Sequence, residues 1–149
     1  MQLSNPREYG GAPRGTKKIT TNRSMIKRTF LAEGTSYASE LGLQNVKDLY
    51  KILQWNEENG FNFFRLSSNL FPWASEYNWD QLPNIESICE WLGRSGDFAK
   101  KHGHRITAHP GPFNKLTSDD ERIIGNTIKD LSIHGWTFDQ MGLPRTPWA

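Results

Sequence analysis

The chain has 149 residues, a formal net charge of +2, 36% hydrophobic residues and 23% charged residues. That length suits about one globular domain. No apolar run approaches the ~20 residues needed to span a bilayer, and so weak a basic balance permits a nucleic-acid partner without arguing for one.

Cys89 is the only cysteine, so an intrachain disulfide is excluded and a reducing, intracellular (cytoplasmic) setting is expected. The opening "MQLSNPREYGG" lacks the basic-then-apolar layout of a signal peptide. Residues 1–18 hold three glycines and two prolines among few apolar side chains, which predicts a flexible lead-in. "ITTNRSMIKRTFLAEG", residues 19–34, predicts an ordered loop.

A helix is predicted from about Ser36 to Asn59, because Leu41, Val46, Leu49, Ile52 and Leu53 recur near helical spacing. Asn59-Gly60 supplies its stop. The aromatic run Phe61–Ser67 predicts a buried strand. "SNLFPWASEYNWDQ" is long for a strand-to-helix connection, and long ordered loops are often functional. Pro83 is then expected at the first position of a helix that buries Ile85, Ile88, Leu92 and Ala99 and runs to about His102, where Gly103 ends it. "HRITAHP" reads as the second strand. Ser118 and Glu121 have capping-box spacing, and a helix follows through Ile124, Ile128, Leu131 and Phe138 to Met141.

The order helix, strand, helix, strand, helix implies an α/β fold with parallel pairing. Parallel sheets are buried on both faces, and two strands cannot supply that burial for three amphipathic helices. The chain stops on "RTPWA", where a third strand is expected. It is therefore expected to be part of a larger α/β protein, most simply a (β/α)8 TIM barrel cut after its first part. A small doubly wound domain is the alternative.

In a parallel barrel, functional groups sit at the C-terminal ends of strands. His109 ends the second strand, and neutral imidazole is a common metal ligand. One histidine is not a metal site, and a lone strand-end histidine is more often a surface or core side chain. Pro110-Gly111-Pro112 breaks the strand and presents Phe113. Arg65 is either paired with a carboxylate or lines a phosphate-binding mouth. Asn22 and Arg23 in "TTNR" either hold a phosphate or form a polar turn. His102 and His104 read as structural at a helix end, and His134 receives no role. No phosphate loop, CxxC pair, HExxH or GxSxG occurs.

"TTNRS", "NVKDLYKILQWNEENGFNFFRLSSNLFPWAS", "GHRITAHPGPFNKL" and "MGLPRTP", in this order and spacing, resemble the N-terminal half of the UV-damage endonucleases over residues 19–149. The resemblance implies a TIM barrel lacking its first strand and its C-terminal half. It also implies a metal-dependent, manganese-favouring DNA repair enzyme that nicks 5′ to UV photoproducts in double-stranded DNA. His109 matches a metal ligand of the family. Glu76 stands where a histidine ligand often follows "FPxAS", and a carboxylate also suits manganese. Pro112 and Phe113 replace a glutamine and a tyrosine that probe the gap behind a flipped lesion. Phe113 keeps a wedge or stacking surface, whereas Pro112 has no side-chain donor. Asn22, Arg23 and Arg65 are the remaining DNA-facing candidates. Residues 1–18 do not resemble the family's first strand, and the later ligand-bearing strands are absent. The expected partners are damaged DNA and a missing C-terminal half, or a second copy joined through exposed sheet edges, with no membrane. An inactive fragment with weak DNA binding and a sugar-isomerase-like barrel are the alternatives.

Overall fold

A computed structural model of the chain describes residues 18–144. The expected lead-in, apart from Lys18, and the terminal "RTPWA" lie outside the described residues. Helix α1 (Lys27–Glu58) begins nine residues before the predicted start and is kinked at Gly34, with φ 65 and ψ −154. That conformation is open to glycine and strained for other residues, so Gly34 joins two helical pieces. The first piece was hidden by its mixed polarity. It is anchored by Phe30, whose ring stacks on Trp73 at 5.6 Å. The longer piece buries Ala38, Leu41, Val46, Leu49, Ile52 and Leu53. Its end follows the predicted glycine stop: Gly60 has φ 76, and the Phe61 N–H returns to the Asn56 carbonyl at 2.8 Å.

Strands β1 (Phe63–Leu66) and β2 (Arg105–Ala108) pair in parallel, with Phe63 opposite Arg105 and Leu66 opposite Ala108. Phe64, Leu66 and Ile106 enter the core, whereas Arg65 between them is half-buried. The connection after β1 is ordered by two short 3-10 turns, Ala74–Glu76 and Trp79–Gln81. It buries Leu70, Phe71, Tyr77 and Leu82.

Helix α2 (Ile85–His102) packs on α1 and buries Ile88, Leu92, Ser95, Gly96 and Ala99. Its N-cap is Asn84, so Pro83 stands just outside the helix rather than at its first position. Helix α3 (Glu121–Gln140) starts from Asp120, whose carboxylate accepts the Arg122 N–H at 2.9 Å. The expected Ser118–Glu121 box does not form. A carboxylate beside the helix N-terminus is a strong cap, and Ser118 instead accepts the Asp120 N–H at 3.2 Å. The buried residues of α3 also differ from the apolar series: Ile128 and Leu131 are exposed, and Thr127 and Thr137 are buried. Their hydroxyls donate to the carbonyls of Ile123 and Ile133 at 2.9 and 2.8 Å, which satisfies the polar group inside the helix's own turn. No helix among the described residues is long and apolar enough to cross a membrane.

Candidate functional site

The C-terminal end of β1 collects the N-terminal segment. Asn45 and Asp48 interrupt the buried apolar face of α1. The Asp48 carboxylate accepts the Thr20 N–H at 3.1 Å and the Arg23 guanidinium at 2.6 Å. Asn45 accepts the Arg23 N–H and donates to the carbonyls of Arg23 and Leu70, each at 3.0 Å. These bonds lay residues 18–25 across α1 and tie them to the loop after β1. Arg23 also donates to the carbonyls of Thr20 and Lys18 at 2.7 and 2.9 Å, so its guanidinium is engaged within the fold. Asn22 is exposed beside Ser67, whose hydroxyl donates to its side-chain carbonyl. The tie residues Asn45 and Asp48 were missed from sequence, although two polar residues on an apolar helix face are a readable signal.

Trp73 is the one described non-glycine residue with positive φ, 57. Such a conformation persists only where its surroundings hold it. Here the indole N–H donates to the Met25 carbonyl at 2.9 Å and the ring lies on Phe30. The 3-10 turn that follows ends on Glu76, which is exposed. Further along, Trp79 stacks on Trp136 of α3 with centroids 3.8 Å apart. Buried Tyr77 donates its hydroxyl to the Pro72 carbonyl at 2.8 Å, and burial raises its pKa.

His109 lies one residue past β2. Its N–H continues the ladder to the Leu66 carbonyl at 2.8 Å, and the residue is exposed. Pro112 and Phe113 are exposed on the next turn, Phe113 by 86%. Arg65 sits within β1, opposite Thr107. A cleft of about 390 Å³ joins the two loops, lined by Ser75, Glu76, Gly111, Phe113, Asn114 and α3 residues. Glu76 and Phe113 thus share one cleft, while His109 is not among its lining residues. No group of three or more His, Cys, Asp or Glu among the described residues is placed to hold a metal ion.

His134, given no role from sequence, is largely buried on α3 with Nε2 3.9 Å from the Asp130 carboxylate. Burial lowers its pKa most; Asp130 opposes that shift and His109 adds to it. The other histidines support the fold. His104, fully buried, meets Glu57 at 2.6 Å, and His102 meets the other oxygen at 3.3 Å. This cluster joins the ends of α1 and α2 to the start of β2, at the opposite end of that strand from His109.

The UV-endonuclease family UvdE matches residues 13–149. The chain belongs to this family. It is 33% identical over 127 residues to the UV-damage endonuclease of Schizosaccharomyces pombe, an alignment covering 85% of this chain and 21% of that protein. It is 34% identical over 132 residues to the UV DNA damage endonuclease of Nostoc sp., covering 87% of this chain and 40% of that one. Among solved structures, the crystal structure of SacUVDE aligns with a TM-score of 0.70 at 30% identity, over 83% of this chain and 41% of that chain. The chain therefore spans from about a fifth to about two fifths of the length of these UvdE relatives.

Proposed function

We propose that this UvdE-family chain forms the lesion-facing edge of a DNA repair endonuclease that nicks beside UV photoproducts. One observation carries the reading. An exposed aromatic, Phe113, stands on a turn directly after a strand-end histidine, across a cleft from Glu76. Phe113 would wedge or stack where a damaged base pair is opened. Pro112 keeps that turn stiff but offers no donor to a base edge. Asn22 and Arg65 complete the DNA-facing side, with Arg23 acting through the segment that carries Asn22. The parallel β1–β2 pair and its helices are proposed as one part of a (β/α)8 barrel. The open sheet edges would pair with the remainder of a family-length barrel, in preference to a second copy.

Manganese-assisted phosphodiester hydrolysis is the chemistry proposed for the whole enzyme. The described residues do not by themselves fit such a metal, since no group of three suitable side chains is placed for one. Glu76 and His109 are therefore proposed as donors to a centre whose other ligands lie beyond the described residues. The same observation favours a second reading, in which this chain binds damaged DNA without cutting it.

Incubation of UV-irradiated plasmid and manganese with the chain, alone and co-expressed with the C-terminal half of a UvdE relative, separates the two. Incision in either case supports the enzyme reading. Retention of irradiated DNA without incision supports the binding reading. Neither incision nor any preference for irradiated DNA refutes both.

A further inference from the structure

Two loops face each other across the cleft, and both are tied to neighbouring residues of α3. One oxygen of the Asp130 carboxylate accepts the Gly111 N–H at 3.2 Å and the Asn114 side-chain amide at 2.5 Å. These donors flank Pro112 and Phe113, so a single acceptor closes the turn from both ends. One helical turn earlier, the Thr127 hydroxyl accepts the Lys115 N–H at 2.9 Å. The adjacent Lys129 ammonium donates to the Ser75 carbonyl, one residue before Glu76. Phe113 is too exposed to anchor itself. Its direction comes from the hydrogen bonds around it.

We propose that Lys129 and Asp130 are positioning residues that brace the Glu76 loop and the Phe113 turn at a fixed separation across the cleft. Asp130 aims the aromatic and Lys129 sets the facing loop, so an incoming duplex meets a pre-ordered edge. Ordering a loop before binding removes a cost that binding would otherwise meet. The functional part of this inference rests on the DNA-facing reading above; the brace itself does not.

Backbone amide exchange, followed by NMR on the full chain, tests the brace without DNA. The Gly111 N–H reports on Asp130, and the His109 N–H, bonded to Leu66, serves as the internal reference. In Asp130→Ala the Gly111 amide is expected to exchange about tenfold or more faster while His109 stays protected. Asp130→Asn retains an acceptor and is expected to recover most of the Gly111 protection. Wild-type exchange at Gly111 in Asp130→Ala overturns the proposal. Equal acceleration at Gly111 and His109 also overturns it, because Asp130 would then stabilise the fold at large.

Affinity for a UV-irradiated duplex, read by fluorescence anisotropy, is expected to fall in Asp130→Ala and in Lys129→Met, with Asp130→Asn closer to wild type. Unchanged affinity in all three overturns the functional part. A wild-type chain that shows the expected exchange pattern but no preference for irradiated DNA refutes the proposed function and supports the brace.

Discussion

Gly96 decides how closely α3 returns to α2, and its replacement by alanine is expected to destabilise the chain. A Cβ at Gly96 would lie 1.7 Å from the Met141 carbonyl oxygen and 2.9 Å from the Met141 Cα, against an ordinary contact of 3.4–4 Å. Both sides are backbone, so no side chain can swing away. The end of α3 would have to retreat by about 2 Å in a closely packed interior. Met141 is 1% exposed, and partial loss of its burial costs about 1–2 kcal/mol. Strain from the forced contact adds about 1–3 kcal/mol. Alanine recovers about 1 kcal/mol through its better helix propensity. The balance is a loss of about 1–4 kcal/mol, to be read from urea unfolding followed by far-UV circular dichroism. Gly93, one turn earlier, is the reference: a Cβ there meets only the Gln140 carbonyl oxygen at 3.8 Å. Gly93→Ala is expected to be neutral or stabilising by up to about 1 kcal/mol. A Gly96→Ala protein as stable as wild type, or equal losses at the two positions, would refute the close crossing.

Two further perturbations probe the ties between elements. Asp48→Ala leaves the Thr20 N–H without its acceptor and takes the carboxylate from the Arg23 guanidinium, which keeps its bonds to the Thr20 and Lys18 carbonyls; a loss of about 1–3 kcal/mol is expected, with faster tryptic cleavage at Arg23 as the segment loosens. Glu57 has its pKa lowered from the usual 4.5, chiefly by the hydrogen bond with His104 and further by the charges of His102 and His104, against partial burial. A depressed carboxylate stabilises the fold above its unfolded pKa and loses that contribution as pH falls through the folded value. The Tm advantage of wild type over Glu57→Gln is therefore expected at pH 6 and should shrink as pH drops below 4.5. A gap that is constant down to strongly acid pH would contradict the pairing.

The elements with a single dominant pattern were legible in the sequence. The aromatic run at 61–67 and "RITA" gave the two parallel strands, and Gly60 and Gly103 marked helix ends that the structure keeps. What escaped depended on competition between nearby signals. Lys27–Glu33 looked like loop because its helix is held by Phe30 on Trp73, a contact 43 positions apart in the chain, and because Gly34 breaks the period. Asp120 outcompeted Ser118 as a cap, and threonines took the buried positions on α3 by bonding to their own helix. At the site, Glu76, His109 and Phe113 were singled out from a strand end and from resemblance, and Asn22 from the polar stretch "TTNR". The residues that hold their loops, Asn45, Asp48, Lys129 and Asp130, carry no motif. Their roles arise only when distant segments meet.

The edge carrying Phe113 is proposed to recognise damaged duplex. The most direct measurement is the affinity of the chain for one short duplex with and without a single thymine dimer, at fixed salt, for wild type and Phe113→Ala. Fixed salt matters because backbone contacts weaken as salt rises. The wild type is expected to favour the dimer-containing duplex, and Phe113→Ala is expected to lose most of that preference. Equal affinity of the wild type for the two duplexes, or a preference that survives removal of the Phe113 ring, would contradict lesion recognition by this edge.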